Sequence, residues 1–223
     1  MNQLVPQKAL GGELAKKEDL SAVLTGGEFL PYFRLYGSST DAVKEGAIGV
    51  AHYGMEKDSN ITDAGKEVDV VILAGRPKAV QTGDNVIVEY HPDVVDGKIT
   101  NKTFQHIVAQ SNIKDSGAMF GPELLLWIPS LFSFVTWHLN NKTARREAKS
   151  VNISSIYGKA VTLKAKLIDP PNSKYKWHGP VIVPQSAKLE LPPLNEIQEQ
   201  VEKFRNPPRN QVEIATTSDD RAR

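Results

Sequence analysis

Between Gly158 and Val183 the chain alternates apolar and charged residues so regularly that a β-hairpin is its natural conformation. In Ala160-Val161-Thr162-Leu163-Lys164-Ala165-Lys166-Leu167-Ile168 the period of two predicts a half-buried strand. Asp169-Pro170-Pro171-Asn172-Ser173 is a turn cluster, and Lys174-Tyr175-Lys176-Trp177-His178 resumes the alternation. A five-residue loop pairing Ile168 with Lys174 sets Lys166 opposite Lys176 and Lys164 opposite His178. One face then carries these cations, and the other carries Leu163, Ala165, Leu167, Tyr175 and Trp177. Like charges directly opposite each other destabilise a sheet, so this register points to an external polyanion.

Strand signals recur along the rest of the chain. Residues 29–36 are rich in aromatics, 47–53 alternate, 68–74 form a β-branched run, and 86–90 alternate again after Gly83-Asp84. Gly75-Arg76-Pro77 reads as the loop before the last of these. Phe104, Ile107 and Val108 have helical spacing, which predicts a short helix over 103–110. Residues 124–128 and 131–139 are separated by Pro129-Ser130, and 142–149 read as a basic loop or one helical turn. Near the C-terminus, Asn195 with Gln198 resembles a capping box. Ile197, Val201 and Phe204 follow as a stripe, and Asn206-Pro207-Pro208 ends the helix. Such a stripe docks on a sheet more simply than on a partner.

Many short strands punctuated by Gly and Pro predict a mainly β fold with a few short helices. The expected form is an OB-like antiparallel β-barrel with insertions and a C-terminal helix, with a sandwich as the other all-β solution. Residues 1–27 read as a loosely ordered lead-in, 28–206 as one barrel domain, and 207–223 as a flexible tail.

The 223 residues suffice for a core without staples, and the absence of cysteine excludes disulfides and thiol catalysis. The longest apolar run, 124–135, is broken by Pro129 and is too short to span a bilayer. Met1-Asn2-Gln3-Leu4-Val5-Pro6 shows no secretory pattern, so a cytoplasmic protein is expected. A net charge of +1 conceals an asymmetry. Residues 140–180 hold nine Lys/Arg against Glu147 and Asp169, a balance of +7, whereas 41–100 hold eleven acids against six bases, a balance of −5. The separation predicts an electrostatic patch, or else two solvated faces of opposite sign.

Enzymatic signatures are missing. There is no phosphate-binding Gly-x4-Gly-Lys-Ser/Thr, no Gly-x-Gly-x-x-Gly and no Gly-x-Ser-x-Gly. His52, His91, His106, His138 and His178 are isolated from one another, which argues against a zinc site. Carboxylates cluster over 58–69 and 84–96, and Asp69 is the candidate for a metal-dependent nuclease. A solvated acidic face explains them more simply.

Binding a single nucleic-acid strand needs cations for phosphates and aromatic faces for bases. As a strand, Pro31-Tyr32-Phe33-Arg34-Leu35-Tyr36 sends Phe33 and Leu35 to the core and presents Tyr32, Arg34 and Tyr36 as a stacking platform. The alternative is an amphipathic strand whose tyrosines pack at the rim. The hairpin register sends Trp177 to the core, and a one-residue slip would reverse that. Arg145 and Arg146 suit bidentate phosphate contacts or a surface pair with Glu147.

Met119-Phe120-Gly121-Pro122-Glu123-Leu124, Lys142-Thr143-Ala144-Arg145-Arg146-Glu147 and Lys174-Tyr175-Lys176-Trp177-His178-Gly179-Pro180, with the strands between 29 and 90, give the chain a resemblance. It resembles the OB-fold single-stranded-DNA-binding proteins of bacteriophage replication systems. The resemblance implies non-catalytic, largely sequence-independent coating of single-stranded DNA, with no cofactor or metal. Replication proteins and further copies of the chain are the partners it implies. Lys164, Lys166, Lys174 and Lys176, with Lys142, Arg145 and Arg146, would neutralise phosphates. Tyr32 and Tyr36 would stack bases, with Trp177 as a third. Neutralising about five phosphates gives a salt slope of about −3.5. The end, Thr217-Ser218-Asp219-Asp220-Arg221-Ala222-Arg223, lacks the acidic character such proteins use to recruit partners. Two other functions fit the residues: a viral assembly protein joining its cationic face to a neighbour's acidic face, and the nuclease.

Overall fold

The computed structural model describes residues 30–206 and 212–214, apart from 84–85, 91, 93, 96–97, 114 and 172. The strands are β1 (Tyr32–Leu35), β2 (Tyr53–Lys57), β3 (Asn60–Gly65), β4 (Glu67–Gly83), β5 (Val86–Tyr90), β6 (Val94–Val95), β7 (Lys98–Ile99), β8 (Ala118–Ile128), β9 (Ser133–His138), β10 (Ala160–Ile168), β11 (Trp177–Pro184) and β12 (Val212–Ile214). Among the described residues four α-helices accompany them: α1 (Asp41–Lys44), α2 (Lys102–Gln110), α3 (Lys142–Ser150) and α4 (Leu194–Arg205). The fold is mainly β with few helices, as expected. None of the described helices is long and apolar enough to cross a membrane.

One sheet dominates, in the order β11-β10-β4-β8-β9-β1-β2-β3, with β5 on the far half of β4 and β12 on β5. The sheet is mixed rather than wholly antiparallel, because β1 runs parallel to β9. Its ladder does not close: β11 and β3 are its two ends. The curl is nevertheless strong enough for the Tyr53 hydroxyl on β2 to donate to the Lys164 carbonyl on β10 (3.0 Å).

The long strand β4 corrects the expected loop at Gly75-Arg76-Pro77. Pairing with β8 runs straight through, Gly75 opposite Leu124, Arg76 opposite Glu123 and Pro77 opposite Pro122. Two prolines can face each other only where neither N–H is required by the other strand. Gly75 marks a close approach, since a Cβ there would lie 2.1 Å from the Tyr157 hydroxyl. A bulge at Leu73 shifts the register and redirects the side chains beyond it. Residues 47–52, read as strand, are the loop before β2. The N-terminal lead-in lies outside the described residues. Within the stretch read as tail, Val212–Ile214 pairs with β5.

Inside the curl, Phe33 stacks on Tyr53 (5.5 Å) and both meet Trp137 edge-on, among Val70, Ile72, Leu124, Leu126, Val161 and Leu163. Each such side chain contributes about 1.5–3 kcal/mol on burial. The opposite side of the sheet is covered by α4, whose Ile197, Val201 and Phe204 pack on Val71, Leu125, Trp127 and Phe134. That is the docked stripe the sequence predicts. The helix begins two residues early, with Pro193 rather than Asn195 at its cap.

A buried ionic cluster joins β4 to β8. Glu123, 1 % exposed, accepts from Lys78 Nζ (2.8 Å) and from Arg76 Nε (2.7 Å). Burial alone would push its carboxyl up, but the adjacent Lys78 and Arg76 cations overcome this and hold it down at about 2. The Arg76 guanidinium also stacks on Phe204 (4.2 Å) and donates to the Phe204 carbonyl, tying α4 to the cluster.

Candidate nucleic-acid interface

The hairpin exists, but its register differs from the expected one. Ile168 pairs with Trp177, Leu167 with His178, Lys166 with Gly179 and Lys164 with Val181. The connection therefore runs from 169 to 176, and Lys174 and Lys176 lie in it rather than on a strand. No lysine faces another across the ladder, so the repulsion that pointed to a polyanion is absent. What sets this register is apolar matching and α3. Ile182 sits opposite Leu163, both buried, and its N–H is taken by the Glu147 carboxylate (2.9 Å).

The basic segment after β9 is a nine-residue helix instead of a loop or single turn. Asn141 caps it, its side chain accepting from Ala144 N–H (2.8 Å). Ala144 and Ala148, one turn apart and buried, let the helix lie close to the sheet. Gly179 permits the same approach from below: a Cβ there would lie 2.5 Å from Thr143 Cγ2 and 2.8 Å from Ile168 Cδ1.

Between α3 and the hairpin runs an open groove of about 900 Å³. Its apolar floor is formed by Leu167, Ile168, Trp177 and Pro180. Leu167 is 50 % exposed and Trp177 40 %, large values for such side chains. The Trp177 indole N–H donates to Thr143 Oγ1 (3.1 Å), which fixes the ring plane. Lys142 and Arg146 from α3 and Lys166 from β10 line the same groove, all exposed. Among the described residues, no carboxylate is paired with any of the three. Asp169 lines it too, paired with Lys176 (2.6 Å).

The structure divides the residues singled out from sequence. Lys142, Arg146, Lys166 and Trp177 come together in the groove, and exposed Lys174 lies in the connection between β10 and β11. Trp177 corrects the core placement, because the hairpin register puts it beside α3 at the end of the ladder. Lys164 is bound to Glu67 (3.0 Å) and Lys176 to Asp169. Arg145 is half-buried, donating to the carbonyls of Phe120 and Asn140. The tyrosine platform is not formed. β1 ends at Leu35, so the alternation stops before Tyr36, which is fully buried with its hydroxyl on Glu56 (3.3 Å). Burial pushes that hydroxyl's pKa up. Arg34 covers the Tyr36 ring (4.5 Å) and pairs with Glu56 (3.1 Å), while Lys78 stands 5.4 Å over the half-buried Tyr32 ring.

Sequence reasoning missed Thr143, Leu167 and Pro180 as parts of one site. Only Leu167 carried a signal, as an apolar residue beside a turn cluster. Asp69, the nuclease candidate, accepts from Thr162 Oγ1 and Gln185 Nε2 (2.7 Å each). Among the described residues no three His, Cys, Asp or Glu side chains group as a metal site. Comparison with family models, with curated proteins and with solved structures gives no match, which leaves the groove's own chemistry as the guide to function.

Proposed function

We propose that this chain binds single-stranded DNA, without catalysis and largely independently of sequence, along the groove between α3 and the β10–β11 hairpin. The observation that carries the reading is Trp177, half exposed and held in plane by Thr143, beside three cations free of carboxylate partners. A fixed indole accepts a base at about 1–3 kcal/mol, and Lys142, Arg146 and Lys166 neutralise the flanking phosphates. Arg146 adds a planar guanidinium suited to a phosphate fork. With Lys174 as a fourth cation the expected salt slope is about −2.8. The curled sheet, on this reading, is an OB-like barrel left open between β3 and β11. The setting is the coating of exposed strands in replication or recombination, as in the phage proteins the sequence resembles.

The test is anisotropy of a labelled oligo-thymidine. Arg146→Glu with Lys166→Glu is expected to weaken binding at least about tenfold, equivalent to about 1.4 kcal/mol. Lys164→Gln with Lys176→Gln, both already paired, is expected to change it little. Equal affinity for wild type and the Arg146/Lys166 variant contradicts the proposal.

A further inference from the structure

The two ends of the sheet are finished differently. On β11, Pro180 and Pro184 offer no N–H, and Glu147 occupies that of Ile182. On β3 there is no proline, and among the described residues only β2 pairs with it. Asp58 (φ 50°) and Ser59 (φ 64°) form the two-residue turn between β2 and β3. Such a turn makes Lys57 and Asn60 a hydrogen-bonded pair. Bonding toward β2 then alternates, so Thr62 faces Met55 while Ile61 and Asp63 direct their N–H and C=O groups outward. An edge of this kind is a template for another strand.

We propose that β3 pairs antiparallel with β3 of a second copy of this chain, about a two-fold axis at Thr62. In that register Ile61 of each copy exchanges hydrogen bonds with Asp63 of the other. The exposed Thr62 side chain meets its own counterpart, a favourable cross-strand contact. Beyond the paired strands, the antiparallel arrangement brings the turn that carries exposed Asp58 of one copy toward exposed Lys66 of the other, twice by symmetry, so the charges at the two ends are complementary. The Asp63 carboxylate is already engaged by His52 Nδ1 (2.8 Å) and by Gly65 N–H (2.7 Å). An axis at Asp63 instead would set two carboxylates face to face. The groove belongs to α3 and the β10–β11 hairpin, at the other end of the strand order, and none of its residues takes part in this pairing.

Light scattering on the full chain without nucleic acid tests this apart from the groove's function. Wild type is expected to reach twice the monomer mass as concentration rises. Thr62→Lys places like charges at the axis, and Ile61→Pro removes an outward N–H while sparing the bonds to β2; both are expected to leave a monomer. Amide exchange on the wild type decides without a variant: Ile61 and Asp63 gain protection with concentration, and Thr62, bonded to β2, does not change. A wild type that stays monomeric throughout overturns the inference. So does a dimer that both variants retain, or one without protection at Ile61 and Asp63.

Discussion

Arg76 and Lys78 on one hand, and Arg146 and Lys166 on the other, are the same residue types put to opposite uses. The first two come from the acidic part of the sequence, yet they are driven inside, where Glu123 binds both. The second two come from the basic part and stand over an apolar groove with no carboxylate engaged. A buried charge can be tolerated only when it is paired, whereas an exposed cation beside an unfilled apolar floor is available to an anion. Partner, more than local charge density, separates a cation held within the structure from one left available.

The comparison is broken most severely at Glu123. Glu123→Gln keeps the shape but leaves Lys78 buried without its counter-charge, and is expected to cost about 3–5 kcal/mol in urea unfolding. Acid should reach the same interaction. Because the folded carboxyl titrates at about 2 against an ordinary 4.5, its contribution is fully present above about pH 4.5 and is lost as pH falls toward 2. The loss amounts to about 3 kcal/mol, and unfolding free energies measured across that range in wild type and Glu123→Gln should show it in wild type alone.

A smaller effect is expected where α3 meets the hairpin. Gly179→Ala drives a methyl into Thr143, costing about 1–3 kcal/mol of stability and disturbing the group that holds Trp177. The unfolding midpoint and oligonucleotide affinity should fall together. Smallest of all is the change in salt response. Lys142→Gln should reduce the slope by about 0.7, while Lys164→Gln should leave it unaltered, since Glu67 already holds that lysine.

Much of the fold was legible because it rests on period-two and period-3.6 patterns. The Phe104–Ile107 spacing and the Ile197–Val201–Phe204 stripe each met the layer they predict, whereas β10 formed where the alternation places it but is buried on both faces over 160–163 and exposed at Leu167. The hairpin register was not legible, because Glu147, distant in sequence, takes the Ile182 N–H and the core selects Ile182 to face Leu163. Tyr36 was misjudged for a related reason: alternation holds only while the strand lasts, and β1 stops one residue earlier. Gly75 and Pro77 imitate a turn, but facing Tyr157 and Pro122 they suit a strand crossing a crowded position. The groove was half legible. Its cations stand out as charge, but the pattern over 142–149 fits a basic loop or a single turn as well, so the helix that brings Arg146 to Lys166 does not show in it.

The most direct measurement is the emission of Trp177 during titration with oligo-thymidine at low and at raised salt. Trp127 and Trp137 are buried, so a change that vanishes in Trp177→Phe reports the groove alone. The account predicts quenching in wild type at low salt, no quenching in Trp177→Phe, and affinity that falls with salt at a slope of about −2.8. Binding that leaves Trp177 emission unchanged, or no binding at low salt, would contradict it.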